Sequence, residues 1–383
     1  MPEEVSTNFL RVSGSDIIDS EGNIVRLTGV NAGGWLVIEE WMCPVTDGDG
    51  DTELTQFVME DTFIGRFGRD NAEALLDAYY DNWWTDQDFI NIKAMGFNVI
   101  RLPFTWRTFQ NVDYTYRADA FIRLDWFIEK ARENGLYVIL DLHGAHGSQN
   151  GRHHSGDIST GGTLYTDETN MAQTEALWVT LAERYKDNDT VAGYDLLNEP
   201  EGTPGGEMNA NTPQWDYYDR LYKAIREVDT NHIIIMEAIW EAINLPSPSL
   251  YSWENVVYEH HYYGWDNTGD FAYQKTFIDQ KVFYNNLTDY SVPILVGEFS
   301  LFDNPESWEY GLGIFEQEGW NWTIWSYKVT GASSWGIYNL TDSALTANIY
   351  TEDYDTLMNK FSRLSTSESF TLNQMIFDAV KQN

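Results

Sequence analysis

Two glutamates each close a short apolar run, and together they have the makings of a catalytic pair. Tyr194-Asp195-Leu196-Leu197-Asn198-Glu199-Pro200 reads as a buried strand that stops at Pro200, which has no N–H for a ladder hydrogen bond, and leaves Glu199 at the tip. Pro293-Ile294-Leu295-Val296-Gly297-Glu298-Phe299 reads the same way, with Gly297 leaving room beside Glu298. Carboxylates on two strand rims match what glycoside hydrolysis requires, one acid/base and one nucleophile.

The other apolar runs indicate what would position them. Strands are predicted at residues 24–31, 97–103, 136–143, 194–199, 232–237, 255–263, 293–299 and 322–328. Helices are predicted at 120–134, 170–185 and 215–228, with helical patterning at 71–80 and 86–95. Near-continuous apolar strands alternating with helices imply a parallel sheet covered on its outside, and eight of them imply an α/β fold closed as a (β/α)8 TIM barrel. An N-terminal β-hairpin, its turn at 20–23, is placed to plug one end, and the βα loops are elongated. No linker rich in Pro, Gly or Ser divides the chain. Residues 1–383 therefore read as one catalytic domain, with the barrel proper at about 24–340 and a C-terminal helical segment at about 341–383.

Composition narrows the function classes. Among 383 residues, 43% are hydrophobic and 15% aromatic, too apolar for a disordered chain. A net charge of -37, from 60 acidic and 23 basic residues, repels phosphate backbones and anionic headgroups, so neither nucleic acid nor a membrane is an expected partner. The same balance suits a neutral substrate, and equally a salt-adapted surface. The single cysteine, Cys43, excludes an intrachain disulfide and any multi-cysteine metal site, and reads as a small buried hydrophobe. No stretch approaches membrane-spanning length, and Met1-Pro2-Glu3-Glu4 lacks the basic and apolar run of a signal peptide. A secreted enzyme trimmed of its signal and a cytoplasmic one both fit this start, and a monomer is expected.

Barrel enzymes carry their chemistry on the C-terminal ends of strands. Here those ends are Asn31, Arg101, His143, Asn198 with Glu199, Glu237, His261 with Tyr263, Glu298 and Trp325. Arg101 and Tyr263 would hold Glu298 ionised as a nucleophile. A more apolar setting near a second carboxylate would push the pKa of Glu199 up, so that it protonates the leaving oxygen. Asn198 suits the sugar 2-hydroxyl, His143 and His261 would orient carboxylates and hydroxyls, and Trp325 offers a flat face to a pyranose.

These stretches resemble glycoside hydrolase family 5, and most of all its exo-β-1,3-glucanase branch. The resemblance runs from about Phe9 to Tyr338. It rests on Gly-Val-Asn-Ala-Gly-Gly-Trp-Leu-Val at 29–37, Trp-Trp-Thr-Asp-Gln-Asp-Phe at 83–89 and Asp-Leu-His-Gly-Ala-His-Gly-Ser-Gln-Asn-Gly at 141–151. Leu-Asn-Glu-Pro at 197–200, Val-Gly-Glu-Phe at 296–299 and the Trp325 strand complete it. The resemblance implies a retaining glycosidase without a cofactor, acting on a β-linked glucan or gluco-oligosaccharide. It makes Glu199 the acid/base and Glu298 the nucleophile, with Arg101, His143, Asn198, His261, Tyr263 and Trp325 supporting them. His261 is preferred to His260 for its two-residue spacing before Tyr263. Glu39 is expected on the terminal sugar. The chain departs from the family run at Arg152-His153-His154, where an aromatic and then Asp-Asn are usual, and at His146, which replaces proline; both departures are expected where substrate is chosen.

Other groupings carry blander readings. The adjacent pairs His153-His154 and His260-His261 would point to opposite faces of a strand, and no His-Glu-x-x-His helix exists, so no metal site is expected. Asp47-Gly48-Asp49-Gly50-Asp51-Thr52-Glu53 alternates carboxylates, yet Thr52 stands where a calcium loop needs glycine, and an acidic turn is expected. Glu237 and Asp141 are rival carboxylates, Glu237 being read as a subsite or structural residue. Trp83 and Trp84 are expected to include a core residue, and about half of Trp35, Trp106, Trp240, Trp265 and Trp335 are expected to pack rather than stack on sugar. The segment 41–82 and the loop 144–163 are long enough to wall off one end of a cleft, which favours exo action over an endo-β-1,4-glucanase; a broad β-glucosidase on the same residues and a carbohydrate-binding barrel without turnover are the other readings.

Overall fold

Runs buried on both faces become the strands of a closed barrel. The computed structural model describes residues 9–50, 54–200, 213–238, 240–288 and 290–382. Its eight parallel strands are β1 (Thr28–Asn31), β2 (Val99–Thr105), β3 (Tyr137–Gly144), β4 (Val191–Asp195), β5 (Ile233–Glu237), β6 (Val256–Tyr263), β7 (Ile294–Ser300) and β8 (Asn321–Ile324). They pair in sequence order, and β8 closes onto β1. Strand pairing aligns polar tips: Asn31 with Arg101, Asp141 with Asp195, Glu237 with Glu259 and Glu298 with His261. A bulge at Gly297 sets the last of these pairs.

Helices α1 (Gln56–Phe67), α2 (Arg69–Trp83) and α3 (Asp86–Ala94) fill the β1–β2 connection. The first of them was not expected from sequence. Later crossovers use α4 (Ile122–Glu133), α5 (Glu168–Tyr185), α6 (Pro213–Arg226), α7 (Phe271–Thr288) and α8 (Pro305–Gln317). Between β5 and β6 the described residues form only 3-10 turns, Ala242–Asn244 and Pro248–Leu250, so the alternation lapses there. A capping box between Thr85 and Asp88 starts α3, and Asn304 with Pro305 starts α8.

The hairpin turns earlier than expected. Arg11–Ser13 pairs with Asp16–Ile18 about Gly14, whose φ of 62° supplies the tight turn. The expected turn also forms, closed by the Asp19 carboxylate on the N–H groups of Glu21 and Asn23. Leu10, Ile17 and Leu27 pack on Val99, Ile139, Ile233 and Leu295 in a cluster separate from the main core, so the hairpin covers the N-terminal barrel mouth.

The eighth strand ends at Ile324, short of the predicted 328. Lys328–Thr330 instead joins a small sheet with Tyr338–Leu340 and Phe370–Leu372. Buried Lys328 donates to the carbonyls of Trp83 and Leu364, and Phe361 packs against Phe63 and Tyr79, tying the C-terminal segment to the barrel. Cys43 is buried, and burial pushes its thiol up to about 12. Among the described residues no helix is long and apolar enough to cross a membrane. Asp51, Thr52 and Glu53 of the acidic run lie outside the described residues; Asp49 donates its N–H to Asp47 in an exposed turn.

Candidate active site

Arg101 lies at the centre of the barrel's C-terminal end, wholly buried. Its guanidinium reaches Asp195 at 2.8 Å, Glu298 at 3.0 Å, Asp141 at 3.1 Å and Glu259 at 3.2 Å, and donates to Asn198 at 2.9 Å and Asn31 at 3.1 Å. One cation does not balance four carboxylates. Burial and the charge of Glu259 hold Asp195 well above the usual carboxylate range, against Arg101. Asp141, the rival carboxylate, is buried and accepts from His143 Nδ1 at 2.8 Å. The His143 ring in turn stacks on Trp325 at 5.4 Å.

β4 stops at Asp195, earlier than Pro200 alone demands, and Leu196 to Asn198 continue as an irregular segment over the rim. Glu199 takes a left-handed φ of 40°. Its Oε1 meets His261 Nδ1 at 2.9 Å and its Oε2 lies 3.5 Å from His154 Nε2. Glu298 accepts from Arg101 through Oε1 and from the Tyr263 hydroxyl through Oε2 at 2.8 Å. Oxygens of the two glutamates come within 4.8 Å of each other.

A cleft of about 570 Å³ opens over this pair. Glu39, His143, Asn198, Glu199, Tyr263, Glu298 and Trp325 line it, with Arg101 and His261 wholly buried beneath. The structure thus gathers all nine sequence-predicted residues around one cavity. Trp240, Trp265 and Trp335 also line it. Trp35 and Trp106 do not: Trp35 packs on Trp84 and Phe127, Trp106 on Phe57 and His146, because the apolar layer behind the rim needs their volume. Trp83 and Trp84 are both core residues.

His146 corrects the expectation of a role in substrate choice. It is buried between Trp106, Thr174 and Gln110, where desolvation lowers its imidazole to about 3. His153 and His154 sit on a 3-10 turn rather than a strand, and both line the cleft with Arg152. Glu237 is fully buried and does not line the cleft. Sequence reading missed Trp41, which lines the cleft and donates to Glu39 at 2.8 Å, and Glu259, which reaches Arg101. The signal for Glu259 was its two-residue spacing before His261, which puts both on one face. Trp41 lies in a loop without periodicity.

The protonation pattern also differs from expectation. Burial works against a charged His261, but Glu237, Glu298 and Glu199 hold the imidazole well above its ordinary range. Burial likewise favours a neutral Glu199, yet the hydrogen bond from His261 and the positive charge around it hold the carboxyl down, to about 2. Glu298 is raised by burial, against His261 and Arg101. The two shifts together favour an imidazolium at His261 beside a carboxylate at Glu199. Glu199, His261 and Glu298 are close enough together to attract a metal ion, but Arg101 and the imidazolium already supply positive charge there.

A model of cellulase, glycosyl hydrolase family 5, matches residues 64–331. The chain belongs to glycosyl hydrolase family 5. It is 33% identical over 261 residues to a β-xylosidase of Phanerodontia chrysosporium, covering 67% of this chain and 52% of that protein. It is 34% identical over 277 residues to a probable glucan 1,3-β-glucosidase A of Neosartorya fischeri, covering 70% and 62%. The chain therefore spans between half and two thirds of the length of these curated relatives. A probable glucan 1,3-β-glucosidase A of Aspergillus clavatus aligns more fully, at 28% identity over 91% of this chain and 93% of that protein. The fold is shared with an endogalactoceramidase (TM-score 0.69, 18% identity, 98% of this chain and 84% of that one). It is also shared with an endoglucanase of the hyperthermophilic Thermotoga maritima (TM-score 0.56, 21% identity, 88% and 96%).

Proposed function

We propose that this family 5 protein hydrolyses β-glucosidic bonds of glucans or gluco-oligosaccharides with retention, releasing sugar from chain ends. The observation that carries the reading is the 4.8 Å limit on the gap between Glu199 and Glu298 oxygens. A gap of about 5 Å suits a nucleophile, whereas inverting enzymes leave about 6.5–9.5 Å for a water. Glu298 attacks the anomeric carbon while Glu199 delivers a proton to the departing oxygen, giving a glycosyl ester on Glu298. Glu199 then takes a proton from the water that cleaves this ester. His261, 2.9 Å from Glu199, supplies and recovers that proton.

Exo action is favoured by the contact between His153 and Glu39, 3.2 Å apart, which joins the loops after β3 and β1 across one end of the cleft. The relatives named glucan 1,3-β-glucosidase favour a β-1,3-glucan, and the β-xylosidase makes aryl xyloside a necessary comparison.

The test is turnover of laminarin, cello-oligosaccharides, mixed-linkage glucan and aryl β-glucoside and β-xyloside, with products resolved by size and anomer. Early glucose of β configuration is expected. Mixed oligomers would overturn exo action, and an α product would overturn retention. In Glu298→Gly, turnover should vanish and azide should restore it with an α-glycosyl azide product; full activity would overturn the assignment.

A further inference from the structure

Glu237 ends β5, is fully buried and has so far been left without a task. Its Oε2 accepts the backbone N–H of Glu199 at 2.5 Å, and its Oε1 lies 3.6 Å from His261 Nδ1. The hydroxyl of Tyr218, from α6, accepts the Glu237 N–H at 3.2 Å and donates to its carbonyl at 3.1 Å, so the strand tip is itself anchored. Glu199 needs such an anchor, because a left-handed φ is unfavourable for a residue with a Cβ and persists only where surroundings impose it.

We propose that Glu237 is the positioning residue of Glu199: by capturing the Glu199 N–H it holds the left-handed turn and aims that carboxyl at the leaving oxygen. This rests on the reading of Glu199 as acid/base. The groups facing Glu237 are Glu199 from the segment after β4, Glu259 and His261 from β6, Arg101 from β2, Tyr218 from α6 and Tyr165 from the turn Leu164–Thr166. Burial holds the Glu237 carboxyl well above its usual range, with Glu259 and Glu199 adding to it against His261 and Arg101. Charged or neutral, the carboxyl accepts the N–H through Oε2. A glutamine does the same and an alanine does not.

The experiment compares kcat/KM for phenyl β-glucoside, whose leaving group needs a proton, with 2,4-dinitrophenyl β-glucoside, whose leaving group does not. Glu199→Ala calibrates the selective loss. Glu237→Ala should lose about 100-fold on the phenyl substrate, within the range of general acid catalysis, and under about threefold on the dinitrophenyl one. Glu237→Gln should keep both within about threefold. Equal losses on both substrates would mark Glu237 as merely structural and overturn the proposal, as would an unchanged phenyl rate in Glu237→Ala. If the alanine variant does not fold, Glu237→Asp, with a shortened acceptor, must show the selective loss, and equal loss there overturns the proposal too. Absence of leaving-group dependence in Glu199→Ala would instead remove the acid/base reading, and the role of Glu237 would fall with it.

Discussion

Nδ1 of His261 lies 2.9 Å from Oε1 of Glu199 and 3.4 Å from Oε2 of Glu298, so one imidazole bridges the two carboxylates on which the chemistry is proposed to depend. The pair His261–Glu199 is coupled, and the imidazole is held well above its ordinary range, against burial, because four carboxyl groups, Glu199, Glu237, Glu259 and Glu298, surround the ring. This bridge makes the pH profile the most direct probe of the site.

In His261→Gln the proton must reside on Glu199 alone. A lone carboxyl loses it at lower pH than the imidazole among carboxylates does. The basic limb of kcat/KM should therefore move to lower pH by about one unit or more. A profile run on phenyl β-glucoside checks this, and an unmoved basic limb would contradict the shared proton.

Gly297 leaves no room for a side chain. A Cβ there would stand 1.5 Å from Glu259 Oε1, the oxygen that faces Arg101. Gly297→Ala must push Glu259 aside or displace the neighbouring Glu298, at a cost of about 1–3 kcal/mol in stability. Urea unfolding and kcat should fall together; a fully active, equally stable variant would show that Glu259 has freedom the packing denies.

At the cleft rim, exposed Trp265 faces Tyr263 and Trp335. An indole that only stacks on sugar contributes equally before and during bond breaking. Trp265→Ala should raise KM about five- to tenfold and leave kcat nearly unchanged. Steady-state kinetics on a trisaccharide would decide, with a loss confined to kcat contradicting a stacking role.

His146 should contribute to acid lability alongside His154 and His260, which burial lowers in the same direction. Desolvation sets its folded pKa at about 3, against about 6.5 in an unfolded chain. Between those values the unfolded state binds the proton and the folded state refuses it, so stability falls as pH drops from about 6.5 toward 3, by about 1.4 kcal/mol per unit. His146→Gln keeps polar partners for Thr174 and Gln110 without this titration. Unfolding free energies at pH 6.5, 5.5 and 4.5 should decline less steeply in the variant, and parallel declines would refute the assignment.

The amino-acid sequence by itself determined the eight strands and which of their tips are polar, because an apolar run ended by a polar residue is a local signal. Glu199 and Glu298 were legible for that reason, as were Arg101, His143 and Tyr263. The hairpin turn and the ends of β4 and β8 were misplaced by a few residues: Gly14 turns the chain through its own positive φ, which local pattern does not reveal, and Lys328 acts through Trp83 and Leu364, far away in the chain. Only the tertiary structure decided that Glu237 accepts the Glu199 N–H, that Gly297 makes space for Glu259, that His146 is structural while His154 lines the cleft, and that His261 sits among four carboxyl groups. Each of these depends on a few ångströms between residues tens of positions apart. Electrostatic interaction and steric exclusion vary steeply over such distances, and local sequence pattern carries no measure of them.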